Sequence, residues 1–233
     1  MKIICIIGSS GTIAKKLQSQ LLKDKNIKIY GCSRSLFKLK KKNFFHSIVD
    51  ASNAKQIREW YDMIYKKEKK IDSLVCLSGT TKGGGSVYNM DENYEYESNF
   101  DNFFKSLVIS NKEILKYFIK RKSGSIINFS SISCKKNLKG SSMYSASKSA
   151  SAVFTKILAR ENIHFKINAN IIIPNLYESL DTKQRGNVWR ETILSLQDIS
   201  EVKVQSLANL IKFLSEKNNY CITGQEISIG SVL

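Results

Sequence analysis

The opening run Lys2-Ile3-Ile4-Cys5-Ile6-Ile7-Gly8-Ser9-Ser10-Gly11-Thr12-Ile13-Ala14 decides the fold. Consecutive apolar residues from Ile3 to Ile7, stopped at once by a glycine-serine turn, read as a short strand, and Ala14 to Leu22 then follow a helical period. A strand that is apolar at every position is covered on both faces, as in a parallel sheet flanked by helices. Glycines at 8 and 11 let the backbone turn tightly and approach a phosphate group. The following helix would offer that charge its free N–H groups and its positive dipole end. Gly8, Ser10, Gly11, Thr12 and Ile13 are therefore candidate dinucleotide contacts, although a Gly-x-x-Gly-x-x-Ala turn taken alone also fits an ordinary tight strand–helix connection.

The same alternation runs through the chain. Apolar runs at Ile27 to Cys32, Phe45 to Val49, Ser73 to Leu77, Ser125 to Phe129, Lys166 to Ile173 and Glu226 to Ile229 are separated by amphipathic stretches such as Ala54 to Tyr65. This pattern predicts an α/β chain, a doubly wound parallel sheet of about seven strands with helices on both faces. With 233 residues and no Pro/Gly/Ser-rich linker, residues 1–233 read as a single domain. The only proline, Pro174, follows the sixth apolar run, at the sheet edge where open α/β folds bind ligands. The irregular stretch from Asn175 to Ser200, with its lone Trp189, reads as a lid on the substrate side.

Composition excludes several classes. At 42% hydrophobic and 24% charged, the chain is neither disordered nor fibrous. The formal net charge of +17 is spread through the sequence without a helix-turn-helix, zinc-finger or aromatic-basic strip, so no nucleic-acid role is expected. The five cysteines are far apart and never form a C-x-x-C pair, which predicts reduced thiols and no metal site. Ile3 to Ile7 is too short for a spanning helix or a signal segment, so a cytoplasmic chain with no membrane partner is expected.

The second strand ends in Ser33-Arg34, where an acidic residue would grip the ribose 2′-hydroxyl of NAD. A guanidinium there favours the 2′-phosphate of NADP, so NADPH/NADP is expected over NADH; the alternative is a solvent-exposed arginine. Asp50 and Ala51 follow the third strand, where Asp50 would accept from an adenine amino group or cap the next helix. Ser130 and Ser131 end the fifth strand, and Tyr144 stands thirteen residues past Ser131. Tyr144 and Lys148 share one helix face at i, i+4, so the ammonium can lie near the phenol and lower a pKa that is otherwise about 10. Ser131 would orient a carbonyl toward Tyr144. Neither His46 nor His164 joins this group, and no G-x-S-x-G elbow makes the serines nucleophiles.

These residues together resemble the short-chain dehydrogenase/reductase family over nearly the whole chain, and the resemblance implies a Rossmann-like domain. Cys76-Leu77-Ser78-Gly79 looks like a degenerate form of the family's N-N-A-G motif, placing Ser78 and Gly79 at the cofactor. Tyr144, Ser147 and Lys148 match its active-site motif, and Pro174-Asn175 resembles the segment that closes over the nicotinamide. The chain departs from the pattern at Ala14, at Cys76 and Leu77, and at Asn175. Losing asparagines at 76 and 77 should remove inter-strand hydrogen bonds of about 1 kcal/mol each.

The resemblance implies Ser131, Tyr144 and Lys148 as catalytic residues, with Lys148 also holding the nicotinamide ribose. It also implies an asparagine that anchors a relay water; Asn102 is the choice, with Asn99 the alternative. The expected activity is NADPH-dependent interconversion of a ketone and a secondary alcohol, on a small-molecule or carrier-bound carbonyl such as a 3-oxoacyl thioester or a keto-sugar. A non-catalytic NADP(H)-binding module is the alternative. Assembly as a homodimer or homotetramer through the helices bearing Asn102 and Tyr144 is also implied, with Ala146, Ala150, Ala152 and Val153 as candidate packing residues.

Overall fold

The seven expected strands appear in the computed structural model, which describes residues 1–79, 85–177, 191, 194, 195, 198, 199 and 201–232. They are β1 (Lys2–Ile7), β2 (Ile27–Ser33), β3 (Phe44–Ile48), β4 (Ser73–Cys76), β5 (Gly124–Phe129), β6 (Ile167–Pro174) and β7 (Glu226–Ile229). All pair in parallel, in the order β3-β2-β1-β4-β5-β6-β7.

Period-two alternation divides β1 between two cores. Ile3, Cys5 and Ile7 pack with α2 (Ala54–Glu68), α4 (Lys105–Arg121) and α6 (Ser142–Asn162) through Trp60, Phe118 and Leu158. Ile4 and Ile6 face the other core, with Leu17 of α1 (Thr12–Leu21) and Ile211 of α7 (Val204–Leu214). Helices thus cover both faces. Two shorter helices, α3 (Glu92–Tyr96) and α5 (Ile132–Lys135), flank the carboxyl side.

Helix ends follow local chemistry. Asn53 caps α2, its side chain accepting from the N–H groups of Lys55 and Gln56, and Lys69 closes that helix in the left-handed region at φ 59°. The cap role weighed for Asp50 therefore belongs to Asn53; Asp50 instead accepts from the N–H and hydroxyl of Ser52. Between α3 and α4, residues Glu97–Phe104 wind as a π-helix. The expected apolar helix from Phe103 to Ile109 thus begins inside a wider turn.

Because β1 is flanked by β2 and β4, the connections leaving the carboxyl ends of β1 and β4 run apart and open a crevice at the switch point. Past β6, Tyr177 bridges to Val202. Most of the expected lid, including Trp189, lies outside the described residues.

Candidate active site

The crevice is a cleft of about 220 Å³. Gly8, Ser10 and Gly11 line its β1 side, and Ser33, Arg34, Asp50 and Ala51 line the end toward β2 and β3. Ser78 and Gly79 form the β4 side. Thr12 and Ile13 are the first two residues of α1, just behind this wall.

The cleft suits a dinucleotide on local grounds. Gly11 is the N-cap of α1 and supplies no side-chain acceptor, and the first turn carries no acidic residue, so an anion meets no competitor there. A Cβ on Gly11 would approach only the Gly8 carbonyl, at 3.4 Å. Buried Gln18 donates from Nε2 to the carbonyls of Ser9 and Ala14, both at 2.8 Å, and so pins the turn to its helix.

Gly8 is required for a different reason. Its φ is +77°, and a Cβ would stand 2.7 Å from the Ser78 nitrogen and 2.9 Å from the Leu77 carbonyl carbon. Left-handed backbone alone costs a non-glycine residue about 1–2 kcal/mol, and the backbone overlap adds to it. Gly8→Ala should therefore lower stability by more than about 2 kcal/mol in urea unfolding, a size set by these combined costs. A loss under about 1 kcal/mol would mean that the turn relaxes around the methyl group.

At the far end of the cleft, Arg34 is exposed and donates from Nη1 to Asn102 Oδ1 at 3.2 Å. Ser33 Oγ donates to the Ser35 carbonyl and lies 2.8 Å from His46 Nε2, whose pKa is lowered by burial. β2 hence ends in a cation and hydroxyls.

The catalytic candidates sit where β5 gives way to α5 and α6. Ser131 caps α5, and its Oγ lies 2.8 Å from Ser133 Oγ. Tyr144 and Lys148 are one turn apart on α6, with Lys148 Nζ 5.6 Å from the Tyr144 ring centroid. Lys148 is only 5% exposed, and its Nζ donates to the Phe129 carbonyl at 3.4 Å. Burial pulls its pKa down to about 7, against smaller upward effects of Cys134 and Cys76. Ser130 donates to the Lys148 carbonyl at 3.1 Å, tying the helix to the end of β5.

Neither asparagine expected at the relay position touches Lys148. Asn102 binds Arg34, and buried Asn99 donates to the Glu95 carbonyl inside its own helical segment. The residue over Lys148 is Phe103, whose ring centroid is 3.6 Å from Nζ. Phe103 comes from the π-helical segment, whose turn is wider than that of an α-helix.

Other departures have local answers. Cys76, in place of a motif asparagine, accepts from Asn111 Nδ2 at 3.5 Å. Asn111 and Asn128 exchange amide hydrogen bonds at 3.2 and 3.0 Å, and Asn128 also donates to Thr155 at 2.9 Å. This buried network joins α4, β5 and α6 behind the site. Sequence reading missed it, although an asparagine at 111 one turn from Leu107 in an apolar stripe was the available signal. Pro174 ends β6, and Asn175 beyond it is 6% exposed, with neither polar atom of its amide partnered among the described residues.

The sheet order, the glycine turn and the Ser131–Tyr144–Lys148 arrangement define a class, and the family model for short chain dehydrogenase matches residues 2–189. The chain belongs to the short-chain dehydrogenase family, whose members are nicotinamide-dependent oxidoreductases acting between hydroxyl and carbonyl groups. It is 28% identical to the 3-oxoacyl-(acyl-carrier-protein) reductase FabG of Buchnera aphidicola subsp. Schizaphis graminum, over 98% of this chain and 95% of that protein. It is also 28% identical to the FabG of Thermotoga maritima, over 78% of this chain and 74% of that one. Among solved structures, ElxO with NADP bound superposes with a TM-score of 0.88 at 23% identity, covering 98% and 96% of the two chains.

Proposed function

We propose that this chain is an NADPH-dependent carbonyl reductase whose substrate is a 3-oxoacyl thioester presented by an acidic carrier protein. The observation that carries the reaction class is the buried Lys148 ammonium, set one helical turn from Tyr144 and against the end of β5 beside Ser131. A purely binding module has no use for a desolvated lysine beside a phenol.

In this reading Ser131 Oγ donates to the substrate carbonyl and orients it. Tyr144 gives its phenolic proton to the oxygen as it gains negative charge. The Lys148 ammonium holds the ribose hydroxyls and favours the phenolate that Tyr144 leaves behind. When bound, the nicotinamide supplies a hydride to the carbonyl carbon. Arg34 and the hydroxyls at the end of β2 would take the 2′-phosphate, and Asp50 the adenine amino group.

Two observations favour a carrier-bound substrate. The relatives that match over most of their length are named as reductases of carrier-borne 3-oxoacyl groups, and a net charge of +17 would steer an acidic carrier. Assembly would use α4 and α6. Val153 and Ile157 of α6 are 57% and 53% exposed, whereas Ala152, expected at such an interface, is core. A cytoplasmic setting is part of this proposal; among the described residues no helix is long and apolar enough to cross a membrane.

Parallel titration with NADPH and NADH, read by thermal shift, tests the cofactor. NADPH at 100 times its Kd should add about 2.7 kcal/mol of stability. Oxidation of NADPH on adding a 3-oxoacyl thioester then tests the reaction. NADPH binding without turnover on any carbonyl would move the non-catalytic reading to first place.

A further inference from the structure

Phe103 is an aromatic ring built into the polar end of the cleft, where it has no obvious business. It is 2% exposed and comes from the π-helical segment, and its ring centre stands 3.6 Å from Lys148 Nζ. That ammonium also donates to the Phe129 carbonyl oxygen at 3.4 Å. Gly79 closes the gap between β4 and the ring. A Cβ there would meet Phe103 Cδ2 at 2.9 Å and lie 3.4 Å from Lys148 Nζ, so the glycine makes room for the pair.

The electrostatics follow from this geometry. Among the described residues, no carboxylate is among the groups that act on Lys148. The titratable side chains around it are Tyr144 on its own helix, Cys134 on α5 and Cys76 on β4. Cys76 itself is pushed up to about 12 by burial, so it stays a neutral thiol and gives no counter-charge at ordinary pH. Among the described residues, what stabilises a buried ammonium here is the Phe129 carbonyl dipole together with the negative face of the Phe103 ring. Such a contact is strongest where water is excluded, as it is here.

We propose that Phe103 is a positioning residue for the reaction: its ring face holds the Lys148 side chain in its charged form against the Phe129 carbonyl. The π-helical turn is the device that delivers it. A turn with one extra residue lets neighbouring side chains serve two ends of the cleft, Asn102 bonding Arg34 and Phe103 facing Lys148. This inference rests on the carbonyl-reductase reading only for the purpose of the ammonium; the contact and its effect on protonation stand without it.

The test measures the protonation of Lys148 directly. In protein carrying ¹³Cε-lysine, the Lys148 resonance is identified by its loss in Lys148→Met and titrated against pH. The comparison is between the unaltered chain, Phe103→Leu, which keeps the apolar volume without the ring face, and Phe103→Tyr, which keeps the face. The midpoint is expected to fall by about one pH unit in Phe103→Leu, the size of a desolvated cation–π contact, and to stay near its original value in Phe103→Tyr. NADPH affinity, measured across the same pH range, should weaken at correspondingly lower pH in the leucine variant. Thermal unfolding of each variant confirms that it is folded.

An unchanged or raised midpoint in a folded Phe103→Leu would overturn the proposal, because the ring would then contribute burial and nothing more. A midpoint that falls as expected in a protein that reduces no carbonyl would support the contact and sink the function assigned to the site. The two failures are therefore distinguishable.

Discussion

Tyr144→Phe is expected to reduce carbonyl turnover by at least about 10²-fold, the lower range for losing a positioned general acid, with NADPH affinity changed by less than about threefold. The substitution removes one oxygen from a helix face and leaves the ring near Lys148, so the cleft wall and the charge of the lysine are kept. Among the described residues, nothing else in the site replaces the lost proton donor. Ser131 is bonded to Ser133 and is a weak acid, and His46 stands beside Ser33 at the end of the cleft toward β2 and β3. Because ground-state binding should be little altered, the loss should appear in kcat and in kcat/KM alike. Steady-state kinetics with a fluorescence titration of NADPH make the comparison. Turnover within tenfold of the unaltered protein would remove Tyr144 from its assigned role.

Arg34→Glu should reverse the cofactor preference, weakening NADPH by about 10²-fold or more while leaving NADH within a few-fold or improving it. The magnitude follows from two charge-assisted hydrogen bonds at about 1.5 kcal/mol each, plus repulsion between the new carboxylate and a phosphate. The geometry supports this position: Arg34 lines the cleft and its only described partner is the neutral amide of Asn102, an easy bond to exchange for a phosphate. Because a Glu at 34 would sit at the mouth, the fold should tolerate it, and the melting temperature without cofactor should move little. Thermal shifts with each cofactor suffice as the measurement. Equal loss for NADPH and NADH would place the 2′-phosphate elsewhere.

Much of this was legible in the chain because parallel strands announce themselves. Ile3 to Ile7 is apolar at every position and Lys166 to Ile173 ends in three isoleucines, and the two are stopped by glycine and proline, so their limits agree with the structure to within a residue. The strand–turn–helix around Gly8 and Gly11 was equally clear from a strand, two spaced glycines and a helical period. The Tyr144–Lys148 pair relied on regular helical spacing, which α6 keeps.

What stayed hidden depends on contacts between distant segments. Asn111, Asn128 and Thr155 are unremarkable polar residues until three elements bring them together. Asp50 looked like a helix cap, but Asn53 stands closer to the first turn and took the role. Phe103, not Asn102 or Asn99, stands against Lys148, on a segment wound more widely than an α-helix. A π-turn cannot be foreseen from periodicity when Phe100, Phe103 and Phe104 supply apolar side chains for either winding.

The order of the sheet also sets a timetable for folding. β1 precedes the other strands in the chain yet lies inside the sheet, and it becomes a fully paired strand only when Ile4 meets Ser73. A chain emerging from the ribosome can close β1 against β2 early, but it must keep the other edge of β1 unpaired until β4 has been synthesised. The remaining strands are then added in sequence, ending with β7 on β6. Each addition closes a long loop before its contacts reward it, so refolding should be slow. The apolar edge of β1 is the segment most exposed to mispairing while it waits.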